Sequence, residues 1–325
     1  MKRTITPWWA GGLLVTFSGA ALVAAETATM AGAQLPAYQR TGGIAGNLSS
    51  VGSDTLNNLM TFWAEGFSKQ YPNVKIQVEG KGSATAPPAL IAGTAQLGPM
   101  SRPMKASEID AFEKKFGYKP TPIAVALDAL AVFVNKDNPI QQLTIPQVDG
   151  IFSSTRSCGG SNISNWGDLG LTGDWAKPIS LYGRNSASGT YGYFKDNALC
   201  KGDYKSSVKE QPGSATVVEG VTNDLFAIGY SGMGYKTAGV RAVPLVAVAS
   251  TKAYEATADN VYAGTYPLSR YLYVYVNRAP GQPLDPLIKQ FLLYVLSQEG
   301  QEAVVKDGFV PLLTEIVDVE LKKLQ

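Results

Sequence analysis

Three short segments carry residues suited to chemistry: VGSDT at 51–55, GKGSAT at 80–85 and RNSASGT at 184–190. Each places small hydroxyl residues between an apolar run and a stretch with helical periodicity. The start of a helix leaves several backbone N–H groups without partners and carries a partial positive charge, so it holds an oxyanion without a cationic side chain. Ser and Thr hydroxyls add donors while letting the backbone come close. Arg184 precedes the third segment's Ser188 by four residues, and its planar fork can give two parallel charge-assisted hydrogen bonds to a tetrahedral anion. Singly, each segment has a plainer explanation: Ser, Thr and Asp are the ordinary N-caps of their own helices, and Arg184 can pair with a surface carboxylate. Three such starts in one α/β chain weigh more, because ligands of open α/β sheets sit beyond the carboxyl ends of strands.

The rest of the composition narrows the chemistry. RNSASGT lacks the lysine and glycine spacing of a nucleotide phosphate loop and the G-x-S-x-G order of a nucleophile elbow. The chain has no histidine, which removes the usual base for activating Ser188 and, with only two cysteines, argues against a zinc or copper site. No cofactor is expected. A net charge of +2 gives no reason to expect nucleic acid or an anionic membrane as partner. In an exported protein the pair Cys158 and Cys200 suggests a disulfide.

The elements that must position these residues follow from the hydrophobic pattern. Short β-branched runs alternate with amphipathic stretches, which predicts an α/β fold. Asn47–Ser53 and Val74–Gly80 read as strands, with a helix between them burying Leu56, Leu59, Met60, Trp63 and Phe67. Pro87 and Pro88 predict a short helix from about Ala86 to Gly93, followed by a strand ending at Ser101 and Arg102 and a helix over Ser107–Phe116. TPIAVALDALAVFVNKDNP, broken only by Asp128, is too long for one ordinary strand and predicts a crossing from one lobe to another. YPLSRYLYVYVN, Tyr266 to Asn277, predicts the return. The expected lobes are therefore 46–130 with 266–325, and 131–265, the first closed by helices at Asp285–Glu299 and Glu315–Leu324.

At the N-terminus, Lys2 and Arg3, an apolar run from Trp8 to Val23 and an alanine-rich exit predict a secretory signal at 1–25, with cleavage after Ala25 or later near Ala33. Residues 26–45 are expected to be an extended leader.

GSDT, GKGSAT, the GPMSR turn, ALDALAVFVNKDNP, GRNSASGTYGYF and GYSGMGYKT together resemble the substrate-binding protein of the Pst-type phosphate ABC transporter, from about Gly46 to near the C-terminus. The resemblance implies a type II periplasmic binding protein: two α/β lobes, a two-strand hinge, and one phosphate in the cleft. It also implies a periplasmic, non-enzymatic monomer that delivers inorganic phosphate to membrane permease subunits. Carried over by position, it implies phosphate contacts from Ser53, Asp54, Thr55, Ser83, Ser101 with Arg102, Arg184, Ser188, Gly189 and Thr190. Some members of the family have a ligand-contacting aspartate where this chain has Ser101. Phosphate near neutral pH keeps a proton that sulfate lacks, so a carboxylate acceptor is required, and Asp54 and Asp128 are the candidates. Asp54 could instead cap its helix, and Asp128 could instead hold Arg102. An exported phosphatase using Ser53 or Ser188, or a receptor for another tetrahedral oxyanion, are the competing readings.

Overall fold

A computed structural model describes residues 35–325. The expected signal segment, 1–25, lies outside the described residues. The chain first builds β1 (Gly46–Val51), α1 (Asn57–Gln70), β2 (Val74–Glu79), α2 (Ala86–Ala92), β3 (Gly98–Met100) and α3 (Ala106–Phe116) before the long strand β4 (Thr121–Asn135). Then come β5 (Leu143–Thr144), α4 (Ile145–Phe152), β6 (Ser180–Arg184), α5 (Gly189–Ala198), β7 (Lys209–Gln211), α6 (Ser214–Asn223) and β8 (Ala227–Gly232). Short strands β9 (Val240–Ala242), β10 (Leu245–Val246) and β11 (Ala253–Tyr254) and helix α7 (Ala258–Tyr262) complete the middle part. Strand β12 (Ser269–Val276) returns, and α8 (Pro286–Val295), α9 (Gln298–Lys306) and α10 (Thr314–Lys322) close the chain.

Strand β4 explains the architecture. Its side chains are apolar on both faces and almost all buried, as in a strand covered from both sides. Thr121–Ala129 pairs antiparallel with Val276–Ser269 of β12, while Leu130–Val134 pairs with Gly232–Ile228 of β8. One strand thus serves two lobes, and the sheet path β3-β12-β4-β8-β6-β7 runs unbroken through the junction. Strands β1 and β2 pair in parallel beside it. Two large apolar clusters lie on either side. One gathers Leu59, Trp63, Phe67, Leu272, Phe291 and Leu312. The other gathers Phe133, Phe152, Trp166, Phe194, Tyr230 and Tyr266. Leu127 and Tyr235 pack against both. Tyr266 and Leu268 belong to the second cluster, so the return strand begins only at Ser269.

Local differences from the sequence reading have local causes. Helix α1 starts at Asn57, one residue after the expected core residue Leu56, because Ser53 N–H is drawn to Pro99 O across to β3 and Asn57 N–H closes a turn onto Asp54 O. The predicted helix Asp285–Glu299 is two helices, since Ser297 caps a new start by accepting from Gly300 N–H. The extended segment after residue 34 is not a free leader: Leu35 is buried, and Tyr38 lies edge-on to Phe67, Tyr71 and Tyr294 and donates to Gln290. Cys158 and Cys200 form a disulfide that fastens the far end of α5 to the loop after α4. Among the described residues no helix is long and apolar enough to cross a membrane.

Candidate functional site

The three helix starts meet at the seam between the lobes. Ser53, Ser83 and Ser101 are buried and form a connected cup on the first lobe. Ser53 Oγ donates to Ser101 Oγ at 3.0 Å, and Ser101 N–H donates to Ser83 Oγ at 3.0 Å. The start of α5 in the second lobe sits directly over this cup. A Cβ built on Gly189 would fall 2.2 Å from Ser83 Oγ and 2.7 Å from Ser101 Oγ, so only glycine allows the approach. Thr190 Oγ1 and Thr55 Oγ1 are 2.9 Å apart across the seam, and Ala84 N–H donates to Ala187 O at 3.1 Å. Gly82 has φ 110°, and a Cβ there would meet Ala187 O at 2.5 Å.

Whether these hydroxyls are spent on their own helices is answered individually. Ser188 is an N-cap, accepting from the N–H groups of Thr190 and Tyr191, which leaves its own hydroxyl proton to donate elsewhere. The other two starts make no side-chain cap: α1 has Leu56 at its cap position and the turn Ser83–Thr85 has Gly82. Asp54 does not cap α1 either. Its Oδ2 reaches across the seam, accepting from Ser214 N–H, the first residue of α6, at 2.7 Å and pairing with Arg184 Nη1 at 3.1 Å.

Arg184 is almost fully enclosed at the end of β6. It donates to Ser214 Oγ at 2.6 Å and to Pro212 O at 3.0 Å, while its buried Nε–H has no partner among the described residues. Burial lowers the pKa of this guanidinium, and the Asp54 carboxylate opposes that shift. A buried charged donor left unpaired is costly, so this N–H marks a place where an acceptor would stabilise the fold.

Two expectations need correction. Arg102 does not turn into the cup. Its two terminal nitrogens make a fork onto Glu108 at 2.7 Å each, with a further bond to Pro103 O, while its stem packs near Gly192 of α5. Burial alone would raise the Glu108 carboxyl, but Arg102 and the Lys105 N–H hold it below the usual carboxylate range. Nor does Asp128 hold Arg102. Its partner is Arg270, whose Nε and Nη2 donate to Asp128 Oδ2 at 3.0 and 2.7 Å, while Asp128 Oδ1 accepts from Met233 N–H at 3.2 Å.

Arg270 is the residue that the sequence reading missed. It stands directly across from Asp128 in the β12–β4 register and also reaches Ser101 O at 2.8 Å and Thr190 Oγ1 at 3.0 Å. The available signal was an arginine beside Ser269 at the head of the tyrosine-rich run, in step with Leu272 and Val274 on the buried face, where a charge has no place but a pair. The seam therefore holds two arginines, each neutralised by an aspartate, among hydroxyls and helix-start N–H groups. Such a surface can hold an anion through dipoles and donors rather than net charge. Among the described residues, no three His, Cys, Asp or Glu side chains gather as a metal site would need.

Comparison with known proteins identifies the family and the fold. The PBP superfamily domain matches residues 37–299. The phosphate-binding protein PstS of Pseudomonas aeruginosa is 59% identical over 312 residues, covering 95% of this chain and 97% of that protein. Among solved structures, a protein of Clostridium perfringens assigned as a phosphate ABC transporter substrate-binding protein, with bound phosphate, has a TM-score of 0.70 at 27% identity, over 82% of this chain and 100% of that one. An ABC-type phosphate transport receptor of Vibrio cholerae shares the fold with a TM-score of 0.64 at 24% identity, over 82% of this chain and 100% of that one. The chain belongs to the PstS family of phosphate-binding proteins, within the PBP superfamily.

Proposed function

We propose that this chain is an exported, non-enzymatic receptor that binds inorganic phosphate between its lobes and delivers it to the permease of an ABC transporter. The observation that carries the reading is the seat of Gly189 against the hydroxyls of Ser83 and Ser101, which brings a second-lobe helix start onto a first-lobe donor cup. In this reading Ser53, Thr55, Ser83, Ser101, Ser188, Gly189 and Thr190 supply donors, and Arg184 supplies charge balanced by Asp54. The lobes, 46–130 with 266–325 and 131–265, close because each holds part of the ligand shell, so phosphate favours the closed state by its differential affinity. The signal at 1–25 would direct export, and the receptor would act as a monomer in the periplasm.

Of the two candidate carboxylates, Asp54 is the better proton acceptor. Asp128 uses both of its oxygens, Oδ2 for two bonds from Arg270 and Oδ1 for one from Met233 N–H. Asp54 uses Oδ2 for its cross-seam bonds and is about one-fifth exposed. Isothermal titration with phosphate and with sulfate tests both points. Phosphate should bind far more tightly than sulfate, and Asp54→Asn should narrow that preference more than Asp128→Asn does. Sulfate bound as tightly as phosphate, or no phosphate binding at all, would sink the reading.

A further inference from the structure

The Arg270 guanidinium stands where the hinge and both halves of the cup meet, and the proposed phosphate contacts do not account for it. It is 5% exposed and rises from β12 at the point where the two lobes part. Each of its three nitrogens is used, and the partners lie on different bodies. Asp128 is on the neighbouring hinge strand, Ser101 O is on the first-lobe cup, and Thr190 Oγ1 is on the second-lobe helix start. The face of Tyr193, one turn along α5, lies 5.3 Å from the guanidinium carbon, and Tyr193 Oη donates to Ser269 O at 2.6 Å. Helix α5 therefore touches the hinge strand through two residues, and both contacts join the lobes.

The bond to Thr190 has a further effect. Because Thr190 Oγ1 accepts from a cation, its hydroxyl proton is left to donate. Its neighbours are Thr55 and the cup, so Arg270 sets the direction in which Thr190 donates.

We infer that Arg270 is a positioning residue for closure: it fixes Thr190 and the α5 start against the Ser101 turn, so that retention of the anion depends on a residue that acts through Thr190. Asp128 holds the guanidinium in place and spares it from being a lone buried charge. Contacts present only in the closed state slow ligand release more than they change ligand capture.

The inference rests on the phosphate reading, and release of radiolabelled phosphate, chased with excess unlabelled phosphate, tests it separately. The variants are Arg270→Lys, which keeps the charge but cannot span three partners, and the double variant Asp128→Asn/Arg270→Gln, which removes the ion pair without stranding a charge. Both should release phosphate at least about tenfold faster than the wild type while capturing it within about threefold of the wild-type rate. The phosphate-induced rise in melting temperature should shrink while the ligand-free melting temperature stays near that of the wild type. Wild-type release rates in both variants would overturn the inference. So would equal losses in ligand-free and ligand-bound melting temperature, or failure of both variants to fold, since Arg270 would then be a structural brace. Wild-type protein that retains no labelled phosphate would instead refute the phosphate reading.

Discussion

At the scale of single residues, the distinction that matters is between side chains that are free to meet an anion and those already committed. Arg102 and Arg184 both looked available in sequence, and packing separates them. Arg102 gives its fork to Glu108, so Arg102→Ala should leave phosphate affinity within about twofold while costing some stability, because Glu108 is left half-buried without its partner. Arg184 has an unpaired N–H in a buried site, so Arg184→Ala should weaken phosphate binding by about 2–4 kcal/mol in the same titration. Gly189 is the third case. A methyl group there cannot avoid Ser83 Oγ, and serine is too short to swing aside, so Gly189→Ala should hold the seam open and lower affinity by about tenfold or more. Ligand-free melting should barely change, since the clash exists only where the lobes meet. If Gly189→Ala bound like the wild type, the cup and the α5 start would not form one site.

At the scale of elements, helix α5 is held at both ends, and the ends have different purposes. Its start faces the seam, and its far end is fastened by the Cys158–Cys200 disulfide, which closes a loop with a sequence separation of 42 residues. On the chain-entropy view, losing a link over such a loop costs about 4 kcal/mol. The double variant Cys158→Ser/Cys200→Ser should therefore melt well below the wild type while keeping phosphate affinity within about tenfold, since the bridge lies at the end of α5 away from the cup. A second element, the turn after α9, is sensitive to pH. Asp307 Oδ2 is buried without a hydrogen-bond partner among the described residues, and burial raises this carboxyl from 3.8 to about 7. A folded-state value above the unfolded one means that the folded state holds the proton more tightly. The stabilising contribution is complete below about 3.8, declines as pH rises, and is gone above about 7. Asp307→Asn, neutral at every pH, should be more stable than the wild type at pH 8, and that advantage should shrink through pH 5 and be nearly gone at pH 4, as thermal melts at the three values would reveal.

At the scale of the whole molecule, what could be read from sequence and what could not divide along a physical line. Elements that announce themselves by composition were legible. The apolar length of β4, broken only by Asp128, marked the crossing, and the paired prolines after Thr85 marked α2. The meeting of the hydroxyl segments was anticipated because strand-turn-helix units in one α/β chain present their turns on a common edge. Side-chain pairing was not legible, because partners such as Asp128 and Arg270 are 142 residues apart and are matched only by the register of β4 with β12. The same limit applies to Tyr235, in GYSGMGYKT, which carried family resemblance but no evident task. In the folded chain it belongs to neither lobe alone: its ring packs against both apolar clusters, and its hydroxyl donates to Asp54 O at 2.8 Å. That bond links the second lobe to the first. Removing one neutral hydrogen bond that exists in only one of two states shifts their balance by about 1 kcal/mol, or roughly fivefold. Tyr235→Phe keeps the ring and its packing, so it should bind phosphate about fivefold more weakly with an unchanged ligand-free melting temperature. Solution X-ray scattering should then give a smaller phosphate-induced decrease in radius of gyration at sub-saturating phosphate, and full compaction once phosphate is in excess. Wild-type affinity in Tyr235→Phe would mean that the bond persists when the lobes part, and that closure is driven from the cup and Arg270 alone.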